Sequence, residues 1–194
     1  RHVSFAEFFG KLHKIVADLI LHIESYRYEN IILYLIDDNI TKSGVWITML
    51  LYPSIRHYVT SVATESIIQD DDKTLLIYFD DMSYSGLQIQ ESMMDICYEP
   101  RRNNIDIYLA IPFFTKIALD RIINGCDKNN PNSQKIKYII PSSHEIVPLF
   151  EEQSRPDPVY LERCPIPTFK NLPVIYFDHK LADYISTYPK IFLS

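Results

Sequence analysis

Asp80-Asp81-Met82-Ser83-Tyr84-Ser85-Gly86 gathers two adjacent carboxylates, two serines and one of only four glycines into a short stretch. Adjacent carboxylates can accept hydrogen bonds from a vicinal diol or face a hydrated Mg2+ ion. Just before a predicted helix, the residues after them offer successive backbone N–H groups, and the helix dipole adds to that anion site. Ser83 and Ser85 offer hydroxyl donors, and Gly86 allows close backbone approach. One loop thus suits a sugar ring and its phosphate together. A second loop, Asp37-Asp38-Asn39-Ile40-Thr41-Lys42-Ser43-Gly44, also runs into a predicted helix. Lys42, Ser43 and Gly44 there suit a phosphate or pyrophosphate, although the upstream glycines of a P-loop are missing. The plain alternatives are a helix-capping acid pair for the first loop and an ordinary capped turn for the second.

The elements that position these loops follow from hydrophobic patterning. Phe5, Phe8, Phe9, Leu12, Ile15, Val16, Leu19, Ile20 and Ile23 recur at helical spacing, which predicts an amphipathic helix over 4–25. Short apolar runs predict strands at Ile31–Ile36, Tyr58–Ala63, Leu75–Phe79, Ile105–Ala110 and Ile136–Ile140. Helices are predicted at 44–53, ending at Pro53, at 87–98, and at Pro112–Asn124, with proline at its start and Gly125 at its end. Apolar strands alternating with helices imply an α/β fold: three layers, doubly wound, with a mostly parallel five-stranded sheet. In such a sheet ligands bind outside the carboxyl ends of the strands, where both loops fall. Residues 1–140 are read as the core. Proline is concentrated from Pro141 onward, so 141–194 is read as an irregular appendage of the same domain, with one more strand at Pro173–Asp178 and a short helix at Lys180–Ser186.

The bulk numbers narrow the function. The chain has 194 residues, 47% of them apolar, enough for one domain with a real core. Net charge is −6 with no basic run, so nucleic acid is not an expected partner. No apolar run is long enough to span a bilayer, so a membrane is not expected either. Cys97, Cys126 and Cys164 match neither zinc spacing nor a disulfide framework, which fits a reducing, cytoplasmic compartment. Arg1 is not a natural start, so an upstream segment or domain stays open. The six histidines show no paired metal spacing. His13 and His22 read as surface or boundary residues of the first helix, and Trp46 as core packing.

The stretch Leu75 to Gln88, LLIYFDDMSYSGLQ, resembles the phosphoribosyl-pyrophosphate (PRPP) motif of type I phosphoribosyltransferases (PRTases). In that family the motif follows the third core strand and a pyrophosphate loop follows the first, as the strand count gives here. The resemblance implies that Asp80 and Asp81 hold the ribose hydroxyls as the catalytic pair. Met82, Ser83, Tyr84, Ser85, Gly86, Leu87 and Gln88 would hold the 5′-phosphate, and Lys42, Ser43 and Gly44 would face the pyrophosphate. Mg2+ would come with PRPP near Asp80 and Asp81, with no direct protein ligand. The implied reaction passes a phosphoribosyl group from a small-molecule substrate to a nucleobase. Residues 141–194 would form the family's hood, with Lys180 and Asp183 as candidates to line it, and a homodimer would be the assembly. The sequence departs from the pattern at Gln88, where a hydroxyl residue is usual, at the bulky Tyr84, and in the short acidic stretch Glu65–Lys73. Two further readings are a non-catalytic nucleotide-sensing or protein-interaction module on the same fold, and a doubly wound interaction domain whose acids only cap helices.

Overall fold

A computed structural model of the chain describes residues 2–35, 43–63, 73–83, 85–91, 104–124, 136–147 and 176–177. Strand β1 (His2–Val3) leads into helix α1 (Phe5–Ser25). Ser4 caps α1, its hydroxyl accepting the Glu7 N–H at 3.2 Å. The helical spacing turns Phe8, Leu12, Ile15, Val16, Leu19 and Ile23 to one buried face.

Strand β2 (Asn30–Tyr34), helix α2 (Ser43–Ile55), strand β3 (Ser61–Ala63), strand β4 (Thr74–Phe79) and the two-residue strand β5 (Met82–Ser83) follow. Helix α3 then begins, helical over its described residues 87–91. Strand β6 (Ile105–Ala110), strand β7 (Phe113–Thr115) and helix α4 (Lys116–Asn124) come next. Strands β8 (Ile136–Ile139), β9 (Glu145–Val147) and β10 (Tyr176–Phe177) complete the described elements.

The main sheet is five-stranded and parallel throughout, in the order β3-β2-β4-β6-β8. Chain order reverses between β2 and β4, so the topological switch point lies between those two strands. All six residues of the central strand β4 are buried, as a parallel strand covered on both faces requires. Alternation along the strands separates two cores. On one face Leu33, Leu75, Ile77 and Phe79 pack with α1 and α2. On the other, Tyr34, Leu76, Tyr78 and Ile107 pack with Ile89 of α3 and Ala118, Leu119 and Ile122 of α4. Each fully buried aliphatic side chain contributes about 1.5–3 kcal/mol, so the two cores hold the layers together.

Three predictions about elements are corrected. Pro112 does not start a helix. Phe113, Phe114 and Thr115 form β7, and α4 starts at Lys116, with the Thr115 hydroxyl accepting the Ala118 N–H at 3.0 Å as its cap. Pro53 does not end α2 but lies inside it, on an exposed flank where its missing donor costs least. The break at Pro141 is only a turn, after which β9 rejoins the core. Beyond its core sheet, the molecule has a second, three-stranded parallel sheet in the order β5-β7-β9. Each of its strands follows one of β4, β6 and β8 after a short break. The β4–β6 register offset of 31 residues carries over unchanged into β5–β7. Between β7 and β9 it becomes 32, one residue absorbed in the turn after Pro141. Asp80 and Asp81 occupy the break between β4 and β5.

Candidate functional site

The carboxyl ends of β2 and β4 flank the switch point, and the first turn of α2 lies against the end of β4. A Cβ built on Gly44 would meet the Phe79 carbonyl oxygen at 2.7 Å, so only glycine lets α2 approach so closely. One residue earlier, the buried Ser43 donates its hydroxyl to Asp80 Oδ1 at 2.5 Å. This contact joins the loop after β2 to the loop after β4. Asp80 Oδ1 also accepts the Asp81 N–H at 2.9 Å, and Oδ2 accepts the Tyr78 hydroxyl at 2.9 Å. A carboxylate at the start of α2 is further stabilised by the positive end of the helix dipole.

Asp80 follows the end of β4 two positions after Tyr78, close enough for its carboxylate to meet the Tyr78 hydroxyl. The Tyr78 ring is buried in the α3/α4 core, 4% exposed. Burial, first, and then the neighbouring Asp80 carboxylate push its phenol well above the ordinary tyrosine range, so it stays a donor. Asp81 is 2% exposed, and its Oδ1 accepts the Met82 N–H at 2.9 Å. In this state Asp81 braces the β4–β5 break from within.

The remaining loop residues divide. Met82 and Ser83 are buried in β5, paired with Phe113 and Phe114. The Ser83 side chain is thus buried beside the β5–β7 pairing. Ser85, Leu87 and Gln88 are exposed, and the Ser85 hydroxyl accepts the Leu87 N–H at 3.2 Å at the start of α3. Gly86 has φ +69°, a left-handed conformation suited to glycine. Its missing Cβ makes room for α4, since a Cβ would meet the Ala118 carbonyl oxygen at 2.8 Å. The close approach Gly86 permits is therefore between helices α3 and α4. Lys42, Tyr84, Lys180 and Asp183 lie outside the described residues, as do the three cysteines.

A sequence model of the PRTase-CE family matches residues 5–163. The chain belongs to the PRTase-CE family. The match runs from α1 across the five- and three-stranded sheets, so the site loops lie inside it. No curated protein matches the chain. Among solved structures, the chain is similar to the Helicobacter pylori xanthine-guanine-hypoxanthine phosphoribosyltransferase, with 13% identity and a TM-score of 0.41 over 75% of this chain and 89% of that one. It is also similar to the orotate phosphoribosyltransferase of Aeropyrum pernix, with 8% identity and a TM-score of 0.39 over 70% of each chain. Likeness at that level leaves the substrate open. No helix among the described residues is long and apolar enough to cross a membrane.

Two residues of this candidate site escape sequence reasoning. Tyr78 reads as one more apolar strand residue, and its only signal is a phenol two positions before an acid. Arg121 of α4 donates from Nη1 to the Ser85 carbonyl at 2.7 Å and so braces the loop from the next helix. Nothing local to residue 121 announces that contact, which depends on α3 and α4 packing side by side.

Proposed function

We propose that the chain binds PRPP, or a ribose 5-phosphate nucleotide, with Mg2+ at the mouth between the β2 and β4 loops. There it transfers the phosphoribosyl group to a nitrogenous base and releases pyrophosphate. The observation that carries this reading is the Ser43–Asp80 hydrogen bond. It brings the candidate pyrophosphate turn and the candidate ribose loop into contact beside the switch point of a parallel sheet, where α/β folds bind their ligands. Membership of a PRTase family supports it.

In this reading a base nitrogen attacks the ribose anomeric carbon. The bond from that carbon to pyrophosphate breaks, pyrophosphate leaves with the electron pair, and the base loses its N–H proton. The protein's share is positioning and charge stabilisation. Asp80 and Asp81 would accept the ribose hydroxyls, Asp80 by exchanging a protein donor and Asp81 by turning out of its buried position. The Ser85–Gln88 turn at the start of α3 would take the 5′-phosphate on its N–H groups. Lys42, Ser43 and Gly44 would face the pyrophosphate. Mg2+ fits as an ion carried on the ligand's phosphate oxygens. The carboxylates already accept protein donors and would meet its water shell, leaving direct coordination to the ligand. A nucleobase as second substrate, a cytoplasmic location and a homodimer belong to the same proposal.

Thermal shift with PRPP and Mg2+ tests the site, and no shift at millimolar ligand would sink it. Pyrophosphate release over a panel of bases then tests transfer. A second reading, a binder that does not turn over, is favoured by the protein donors that already occupy Asp80 and by the acidic sequence Glu65–Lys73. Binding without pyrophosphate release from any base would select it.

A further inference from the structure

Tyr78 and Ser43 hold the same carboxylate from opposite sides, and they differ in freedom. Tyr78 belongs to the central strand. Its ring is buried among the side chains that pack α3 and α4 on the sheet, and its hydroxyl meets Asp80 Oδ2 at 2.9 Å. It cannot leave without unpacking that core. Ser43 sits in the first turn of α2, and its hydroxyl, which meets Oδ1 at 2.5 Å, rotates about one bond. The Asp81 N–H, the third donor, is fixed by the backbone. A carboxylate accepts about four hydrogen bonds. Two fixed donors therefore set the plane and direction of the Asp80 carboxyl, while the serine can yield to a ligand hydroxyl.

We infer that Tyr78 is a positioning residue: from inside the sheet it orients the Asp80 carboxylate toward a ribose diol, leaving Ser43 as the exchangeable partner. This rests on the PRPP reading above. It adds to that reading a buried phenol which acts only on the sugar half of the ligand. The pyrophosphate half would meet the α2 turn, whereas the Tyr78 hydroxyl is engaged with Asp80.

The test is Tyr78→Phe in the full chain, titrated with Mg2+·PRPP and separately with Mg2+·pyrophosphate. The ring stays, so the core keeps its packing. PRPP binding should weaken about tenfold, the scale of one hydrogen bond to a charged group. Pyrophosphate binding should stay within about twofold of wild type. Equal PRPP affinity in the folded variant, or equal loss for both ligands, would overturn the positioning role while leaving the PRPP reading intact. Wild-type protein that binds neither ligand would sink both. If Tyr78→Phe fails to fold, 3-fluorotyrosine placed at position 78 keeps the donor and reports on it. Its fluorine resonance should move with PRPP and stay with pyrophosphate, and a resonance unmoved by bound PRPP overturns the proposal.

Discussion

Two tyrosine–aspartate pairs stand at opposite ends of the same sheet. At the carboxyl end Tyr78 donates to Asp80. At the amino end Tyr28, in the connection before β2, donates to Asp106 near the start of β6 at 2.6 Å. The chemistry is the same, but the surroundings differ. Tyr28 also meets His22 of α1 at 2.8 Å, and the Lys73 ammonium lies 4.9 Å from its ring centre. Lys73 and Lys137 lie over the Tyr26 ring at 5.3 and 5.6 Å. That cluster ties α1 to β6 and closes on itself with rings and ammonium groups. Asp80 instead draws its other donors from a helix start and a loop backbone, at the end of the sheet where strands stop and helices begin. Parallel sheets make their two ends unequal, and only the carboxyl end combines an acid with helix N-termini.

The comparison breaks most sharply if the carboxyl-end acids are neutralised. Asp80→Asn with Asp81→Asn should weaken Mg2+·PRPP binding about a hundredfold or more, the scale of two hydrogen bonds to charged groups. Asparagine keeps the shape and an acceptor oxygen, so the melting temperature should hold. Retained affinity would move the ligand elsewhere. The glycines come next. Gly86→Ala puts a Cβ on a left-handed backbone and against the Ala118 carbonyl, so stability should fall by about 3 kcal/mol in urea unfolding. Gly44→Ala meets only the close approach to Phe79 and should cost about 1–3 kcal/mol. An unchanged midpoint for Gly86→Ala would mean that α4 gives way more easily than its packing implies.

What the chain reveals before folding follows the same division. The three central strands, β2, β4 and β6, announce themselves as apolar runs because both of their faces are buried, whereas the edge strands β3 and β8 are partly exposed. The acid pair and the Ser-Gly turn are visible at the end of one. β5, β7 and β9 are two or three residues long, too short for any periodic signal. Phe113-Phe114-Thr115 suits a helix start as well as a strand, and its pairing is fixed by register with Met82 and Ser83, 31 residues away. Likewise Gly86 looks like a ligand-facing glycine until α4 is packed behind it. The residues of the site are local in sequence, but Asp80's partner Ser43 comes from 37 residues upstream.

At the amino end, Tyr28→Phe removes the donor to Asp106 and the contact with His22. Stability should drop by about 1–2 kcal/mol, read from the urea midpoint, with PRPP affinity unchanged. Tyr78→Phe should show the reverse emphasis. If Tyr28→Phe weakened the ligand as much as Tyr78→Phe, the two ends would not be separate in function.

The smallest effect concerns protons at the amino end. Tyr28 has one hydroxyl hydrogen, and the Asp106 carboxylate accepts it. His22 Nε2 must then carry a proton and donate to Tyr28, which leaves Nδ1 as the nitrogen that titrates. Burial lowers the His22 pKa from its ordinary 6.5, Asp106 opposes that, and Lys137 and Lys73 reinforce it. The unfolded chain therefore takes up a proton at this residue before the folded one does. The neutral histidine's contribution to stability is full above pH 6.5 and declines as pH falls from there toward the lower folded value. His22→Gln keeps a side-chain N–H for Tyr28 and cannot titrate. The wild type should thus lose stability relative to His22→Gln between pH 7.5 and pH 5.5, by a fraction of a kcal/mol because the ring is only partly shielded, about the scale of a screened surface interaction. Parallel urea midpoints for the two proteins across that range would mean that Asp106 offsets burial and the two lysines, and a wild type that gains on acidification would mean that it outweighs them.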